Sequence, residues 1–311
     1  MRRWWRDSFA MLSDLLILIG LLALGFLGLS LLMGELLTRP AVKPLEALPS
    51  DLGLPYEPVS FQSRDGIALP GWMIGPELPG PPVIILHGYT DRKSSYVYHA
   101  RFLYEHGYPS VVYDQRGHGE SAAGRVSLGP LEARDAVAAL EMLREAGRGE
   151  RFVVWGSSMG AAIALLAASQ TVLVAGVISE SSYETLEDVV ADTLRIRYRV
   201  PRFPLVPAGL RIASLLAGVD LREVSISRAV ASLEIPIVFV SGEFDPRMTS
   251  DVGERLFSLA SKGIGHIVVP GAEHAECWAL GQPKYGEHVL ELIRCSLSGP
   301  GSTDTHDRAA T

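Results

Sequence analysis

A Gly-x-Ser-x-Gly sequence lies between two segments of opposite structural preference. Residues 156–160 read Gly-Ser-Ser-Met-Gly, the apolar residues 152–155 before them favour a strand, and residues 161–167 after them favour a helix. At such a junction the central serine, Ser158, stands on strained backbone, and the two glycines remove side chains that would collide. The following helix directs its first backbone N–H groups at an oxyanion. A bare motif of this kind also occurs as a simple turn, but this context predicts a serine nucleophile.

A serine hydroxyl is a weak nucleophile near neutral pH, so Ser158 needs a histidine base and a carboxylate that orients the base. In a strand–turn–helix site the three residues follow in the order serine, acid, histidine. Asp245 comes just after the strand expected at 235–240, and His274 just after the strand expected at 264–269. Because parallel strands end at one edge of a sheet, we expect both side chains beside Ser158. The sequence predicts a triad of Ser158, His274 and Asp245.

Other residues fit these roles less well. Glu180 follows the strand expected at 173–178 and is the alternative acid at the same edge. His266 lies within an expected strand, and His288 lies within the closing helix. His87 and His118 precede the nucleophile and are interpreted as loop structure.

A tetrahedral intermediate needs two N–H donors for its oxyanion. One is expected to be the backbone of Met159, the residue after the nucleophile. The other is expected in the loop after Leu86, where Gly88 allows a tight bend, and we assign it to Tyr89. This chemistry requires neither a metal nor an organic cofactor.

The elements that must position these residues alternate between strand and helix, which predicts an α/β fold with a mostly parallel sheet covered by helices on both faces. Residues 183–231 interrupt the rhythm with short helical patterns and prolines, and they are interpreted as a small helical cap over the carboxyl edge of the sheet. The expected strands are 59–63, 67–74, 82–86, 109–113, 152–155, 173–178, 235–240 and 264–269, and the expected helices are 94–106, 131–146, 161–167, 251–262 and 285–297.

Four parts are predicted along the chain. Residues 1–37 form a membrane-anchoring segment, the proline-rich residues 38–58 a stalk, residues 59–297 the catalytic domain, and residues 298–311 a disordered tail.

The anchoring interpretation depends on residues 15–33, which contain no charge and are about long enough to span a bilayer. Arg2, Arg3 and Arg6 precede them, so the rest of the chain is expected on the extracytoplasmic side. A cleaved signal peptide and a buried core helix are the two alternatives. The first is disfavoured by the length of the apolar stretch, and the second by its apolarity on every face.

Composition excludes some partners. The chain has 311 residues and a net charge of −7, and it has no basic cluster with interleaved aromatic residues, so nucleic acid is not an expected partner. No histidines and cysteines have metal-ligand spacing. Cys277 and Cys295 are the two cysteines; they could pair in an exported domain, but two independently buried thiols are the favoured interpretation. The oligomeric state is left open.

Several motifs together resemble the α/β-hydrolase superfamily, in particular the branch of monoacylglycerol lipases, serine-aminopeptidase-like hydrolases and membrane-anchored bacterial esterases. The resemblance covers about residues 59–297. It implies that Ser158, Asp245 and His274 are the triad and that the stretch 114–121 braces the loops beside the site. The motifs are His-Gly at 87–88, Asp-Gln-Arg-Gly-His-Gly-Glu-Ser at 114–121, the serine motif at 156–160, Gly-Glu-Phe-Asp at 242–245 and Gly-Ala-Glu-His at 271–274.

The expected activity is hydrolysis of carboxylic esters, with a small-molecule ester or a lipid as the substrate. A peptidase or amidase is the alternative enzyme, and a non-catalytic binding protein is the alternative from a different class. Esters are favoured because nothing in the sequence indicates a site for the charged terminus of a peptide.

The arginines of the cap allow two interpretations. They are interleaved with apolar residues, so they could rest on anionic lipid or meet a charged headgroup. They could equally pair with acidic neighbours as an ordinary solvated face. The arginines are Arg195, Arg197, Arg199, Arg202 and Arg211, and the acidic neighbours are Glu184, Glu187, Asp188 and Asp192.

Overall fold

The computed structural model describes residues 2–121 and 124–297 and contains one eight-stranded sheet in the order β1-β2-β4-β3-β5-β6-β7-β8. β1 pairs antiparallel with β2, β2 pairs antiparallel with β4, and all other neighbours are parallel. The strands are β1 Tyr56–Gln62, β2 Ala68–Ile74, β3 Val83–Leu86, β4 Ser110–Tyr113, β5 Phe152–Ser157, β6 Val174–Glu180, β7 Ile237–Gly242 and β8 Gly263–Val269. The mostly parallel α/β sheet predicted from the sequence is confirmed.

Helices cover both faces of this sheet. Each central strand alternates between the two layers, so that Ile84 and Leu86 face one core while Val83 and Ile85 face the other. α3, α4, α7 and α8 pack on the first face, and α2, α9 and α10 pack on the second. The helices are α1 Arg2–Thr38, α2 Val97–Glu105, α3 Pro130–Glu145, α4 Met159–Ala168, α5 Leu186–Tyr198, α6 Leu205–Ala217, α7 Ile226–Ala231, α8 Ser250–Leu259, α9 Cys277–Leu280 and α10 Lys284–Leu297.

The cap between β6 and β7 is helical, as the sequence predicts. It consists of α5, α6, α7 and a short 3-10 turn at Leu221–Glu223. Part of α5 and α6 forms a small core of its own with the end of α1, built from Met33, Val190, Val206 and Leu210. The predicted tail at 298–311 lies outside the described residues.

α1 contains one stretch, Met11–Thr38, that is long and apolar enough to cross a membrane. Only 6% of its most apolar window is buried, which contradicts the alternative of a buried core helix. The helix ends at Thr38, whose side chain is fully buried and whose carbonyl accepts a hydrogen bond from Val126 N at 2.9 Å.

The segment after α1 is not a free spacer, which corrects the predicted stalk at 38–58. Pro40 and Pro49 are buried, and the Glu46 N–H donates to Ser94 Oγ at 3.3 Å. β1 begins at Tyr56, three residues before the predicted start of the domain at 59. Proline content correctly indicates irregular backbone here, but it carries no information on whether that backbone packs on a neighbour.

The two cysteines differ in environment. Cys277 is fully buried at the start of α9, whereas Cys295 is exposed on α10, and both are free thiols. The prediction of two buried thiols is therefore wrong for Cys295.

Candidate active site

Ser158 stands at a sharp turn between β5 and α4. Its backbone φ is 56° and its ψ is −118°, in the positive-φ region that side chains other than glycine rarely adopt. A Cβ atom on Gly156 would lie 2.1 Å from Gly160 O, and a Cβ atom on Gly160 would lie 2.0 Å from Leu86 O. Both distances are shorter than any contact a side chain can make, so the turn requires glycine at both positions and holds Ser158 at the end of the sheet.

His274 lies within hydrogen-bond distance of both Ser158 and Asp245. His274 Nε2 is 3.0 Å from Ser158 Oγ, and His274 Nδ1 is 2.6 Å from Asp245 Oδ2. Asp245 follows β7 and His274 follows β8, so the parallel order of these strands delivers both side chains to the edge where β5 ends. The geometry is that of a nucleophile, its base and an orienting acid.

Asp245 is held in an orientation that suits the third role. Its Oδ1 atom accepts hydrogen bonds from the backbone N–H groups of Arg247 and Met248, both at 3.0 Å, which leaves Oδ2 for His274. Burial alone would raise the pKa of this carboxyl, but the hydrogen bond and the charge of His274 outweigh it and lower the pKa below its usual value. Asp245 is therefore ionised near neutral pH and can stabilise an imidazolium on His274.

Glu180, the alternative acid, lies behind the nucleophile and does not contact His274. Its Oε2 atom accepts from Tyr285 OH at 2.8 Å, and its Oε1 atom accepts from Ser157 Oγ at 3.3 Å. Burial raises the pKa of this carboxyl above its usual value. The Glu180 backbone carbonyl accepts from Ser158 N at 2.8 Å. The side chain is placed to support the elbow and not to orient the base.

The two predicted oxyanion donors lie on either side of Ser158. Met159 is the first residue of α4, where a backbone N–H has no acceptor within the helix. Tyr89 follows Gly88, where an added Cβ would be 3.4 Å from Ser158 Cβ and 3.9 Å from Ser158 Oγ. In the described part of the chain, the Tyr89 N–H has no hydrogen-bond acceptor. These two groups are placed to meet an oxyanion formed next to the serine.

The loop that carries Tyr89 is braced by two neutral histidines. His87 Nε2 accepts from Gln115 N at 3.0 Å, and His118 Nε2 accepts from Thr90 N at 3.1 Å. Burial lowers the pKa of both imidazoles, that of His118 to about 3, so each ring keeps an unprotonated nitrogen for this contact. The structural role that the resemblance implies for residues 114–121 agrees with these contacts.

A cavity of about 290 Å³ opens beside Ser158. Its walls come from the elbow, the cap and, unexpectedly, the end of α1, and none of its lining side chains is a carboxylate. Sequence reasoning missed the α1 contribution because apolarity in a membrane segment does not distinguish lipid contact from pocket lining. The lining residues are Met33, Leu36, Leu37, Tyr89, Leu128, Ser158, Met159, Tyr183, Leu186, Val189, Val190, Thr193, Leu194, Tyr198, Arg247 and Met248.

Within residues 2–121 and 124–297, no group of three or more histidine, cysteine, aspartate or glutamate side chains could hold a metal ion.

Comparison with known proteins identifies related chains and folds. Residues 79–183 match the family described as serine aminopeptidase, S33. The chain is 25% identical over 234 residues to the uncharacterised protein YqkD of Bacillus subtilis (strain 168), covering 74% of this chain and 77% of that protein. The Pyrococcus furiosus esterase Pf2001 superposes with a TM-score of 0.68 at 22% identity, covering 82% of this chain and 98% of the esterase. A Pyrococcus horikoshii acylaminoacyl peptidase superposes with a TM-score of 0.58 at 18% identity, covering 81% of this chain and 43% of the peptidase.

The chain has the α/β-hydrolase fold, and its residues 79–183 match a family of serine hydrolases. The resemblance inferred from the sequence motifs is thereby confirmed at the level of superfamily and fold. An esterase and a peptidase both occur among its structural neighbours, so the fold and the family match support hydrolase activity without separating ester from amide bonds.

The geometry predicts that Ser158 alone is reactive toward an active-site-directed fluorophosphonate. Ser158→Ala should abolish covalent labelling of the full-length protein, because it removes the hydroxyl oxygen that His274 Nε2 contacts, the expected nucleophile. Ser157→Ala is the matched control, since its hydroxyl contacts Glu180 and not the histidine. Gel fluorescence after labelling measures both. Labelling that persists in Ser158→Ala would contradict the assignment.

The two carboxylates should respond differently to removal of charge. Asp245→Asn should slow fluorophosphonate labelling by up to about 10⁴-fold, because the amide no longer holds the imidazole in the required tautomer or stabilises its charge. Glu180→Gln should slow labelling by less than about tenfold, equivalent to 1.4 kcal/mol, because the Glu180 carboxylate is hydrogen-bonded to Tyr285 and Ser157 and not to His274. The labelling rates of the two variants, measured side by side, test this prediction. If Glu180→Gln were labelled more slowly than Asp245→Asn, Glu180 would be the orienting acid.

Proposed function

We propose that the protein is a serine hydrolase that cleaves carboxylic esters through an acyl-enzyme. The observation that carries this proposal is the cavity at Ser158, which is lined mainly by apolar side chains and by no carboxylate. A site that selects a free peptide N-terminus needs an anion for the ammonium group, and Arg247 is the one charged side chain among the lining residues. An acyl chain needs only apolar walls.

In the proposed reaction, His274 Nε2 takes the proton of Ser158 Oγ as this oxygen attacks the ester carbonyl carbon. Negative charge moves to the carbonyl oxygen, where the N–H groups of Tyr89 and Met159 stabilise it. The C–O bond to the alcohol then breaks, and His274 returns its proton to the departing alkoxide. A water molecule, deprotonated by the same histidine, attacks the acyl-enzyme and releases the carboxylic acid and free Ser158.

The expected outcome with the full-length protein in detergent micelles is Ser158-dependent hydrolysis of p-nitrophenyl esters, and far slower release of p-nitroaniline from amides of the same acyl chains. The ester and the amide of each pair carry the same acyl chain, which the apolar cavity binds equally in both. The comparison therefore isolates the chemistry of the leaving group. Rates measured by absorbance for wild type and Ser158→Ala provide the test. Amide hydrolysis at or above the ester rate would favour the second candidate, a peptidase or amidase, for which the match to the serine aminopeptidase family at 79–183 is the supporting observation.

α1 is proposed to anchor the protein in a membrane with the catalytic domain on the extracytoplasmic side. Its apolar stretch and the arginines before it support this orientation. Protease added to intact cells, after permeabilisation of any outer layer, should digest the catalytic domain while a cytoplasmic marker survives. Full protection of the domain would place it in the cytoplasm, and a shortened chain released from the membrane would indicate a cleaved signal peptide.

A further inference from the structure

α1 changes character along its length. From Leu15 to Leu29 its large apolar side chains are 37% to 66% exposed on the protein, as expected for a helix surrounded by lipid. Ser30 is only 2% exposed and Met33 only 8% exposed, because the helix continues without a break onto the catalytic domain. Its last two turns are therefore part of the folded domain.

Close packing fastens this end of α1 to α6. A Cβ atom on Gly34 would lie 2.5 Å from Ile212 Cγ2, and a Cβ atom on Gly209 would lie 1.9 Å from Met33 Cε. The two helices approach so closely only because each presents a glycine to a large side chain of the other.

Polar contacts also hold the last two turns of α1 to the catalytic domain. Arg125 donates to the Glu35 carboxylate at 2.8 Å and 3.4 Å and to Thr38 Oγ1 at 2.8 Å. Tyr89 OH donates to the Leu36 carbonyl oxygen at 2.5 Å. Tyr89 also carries the backbone N–H placed for the oxyanion, so a single residue connects the end of α1 to the reacting centre.

Three side chains of these turns face the cavity at Ser158. Met33, Leu36 and Leu37 follow the i, i+3, i+4 spacing of one helix face, and all three line the cavity. Leu36 is still 60% exposed, so it lies at the mouth, where Tyr198 of the cap is 61% exposed and also lines the cavity. The mouth is therefore bordered by apolar groups from α1 and from α5.

The mouth lies close to the membrane surface. The uncharged stretch of α1 ends at residue 34, and Leu36 is only about 3 Å further along the axis at a rise of 1.5 Å per residue. Beside Tyr198 the cap exposes Ile196 and Phe203, by 44% and 78%. Such side chains at this depth suit contact with the interface between headgroups and acyl chains.

The cap arginines divide between the two interpretations offered by the sequence. Arg195 pairs with Asp192, and Arg202 pairs with Glu187 and Asp188, as on a solvated face. In the part of the chain that the structure describes, Arg197 and Arg199 form no ion pair, and Arg197 lies over the Tyr198 ring at 5.7 Å. These two cations are free to meet anionic headgroups at the mouth.

We propose that the last two turns of α1 form the acyl-binding wall of the site, with Met33, Leu36 and Leu37 as specificity-determining residues. The substrate is then an ester dissolved in the bilayer, whose acyl chain slides from the lipid along α1 into the cavity. This inference rests on the proposed ester hydrolysis. At about 290 Å³ the cavity lies at the lower end of the range for ligand pockets, roughly 300–1,000 Å³, and is suited to one chain.

The test compares the full-length protein in lipid nanodiscs with variants on two faces of the same helix. Leu36→Trp and Leu37→Trp fill the cavity, so the ratio of kcat/KM for p-nitrophenyl decanoate to that for the acetate should fall at least about tenfold, since each excluded methylene is worth about 10-fold or more. Leu31→Trp is the matched control, because Leu31 is 47% exposed on another face of α1, and its ratio should equal that of wild type. Leu37→Ala enlarges the cavity and should shift the preference toward longer chains.

The outcomes separate the two proposals. Fluorophosphonate labelling of every variant is the control that the site is folded. The acyl wall would be overturned if Leu36→Trp and Leu37→Trp had the same decanoate-to-acetate ratio of kcat/KM as Leu31→Trp. Ester hydrolysis itself would stand in that case. Ester hydrolysis absent from the wild type at every chain length would overturn the proposed function itself, and the acyl wall with it.

Discussion

The structure depends on one steric constraint, the contact of three backbone segments at the elbow. Gly160 lies against the carbonyl of Leu86, and Gly156 lies against the carbonyl of Gly160, with no room for a side chain at either glycine. This contact brings the start of α4 against the end of β3. The loop after β3 therefore lies beside Ser158, next to the first turn of α4. The same packing positions Ser158 and the two backbone N–H groups proposed as oxyanion donors.

The sheet and the residues at its edge follow from local patterns in the sequence. Apolar runs of strand length alternate with amphipathic helices, and this alternation allows little besides a parallel sheet covered on both faces. Once the strands are parallel, Asp245 and His274 must emerge at the edge that carries Ser158, because each directly follows a strand. Their proximity was inferable without any knowledge of tertiary contacts. Whether Asp245 or Glu180 contacts His274 was not, because Glu180 ends β6 and Asp245 follows β7 at the same edge, so that only side-chain direction separates them.

Contacts between distant segments carry no comparable signal in a single sequence. Gly34 and Gly209 are 175 positions apart, and neither position differs in sequence from an ordinary glycine in an apolar helix. Hydropathy indicates that α1 can span a bilayer, but not where the lipid ends and the protein begins. The prolines after α1 predict irregular backbone, but they do not distinguish a solvated spacer from a segment that packs on the domain. The end of α1 is consequently predicted as membrane anchor and the segment after it as a stalk, although both contact the catalytic domain.

The packed end of α1 also bears on the fate of this helix. Removal of α1 by a signal peptidase would take away one wall of the cavity, strip Arg125 of its carboxylate partner Glu35, and expose the apolar surface of α6 that covers Met33. An unpaired cation and a newly exposed apolar patch both disfavour the shortened protein. The domain therefore keeps these contacts only when α1 is retained. A helix that served both as the proposed anchor and as the proposed wall would fix the distance between the bilayer and Ser158, whereas a flexible stalk would leave that distance free.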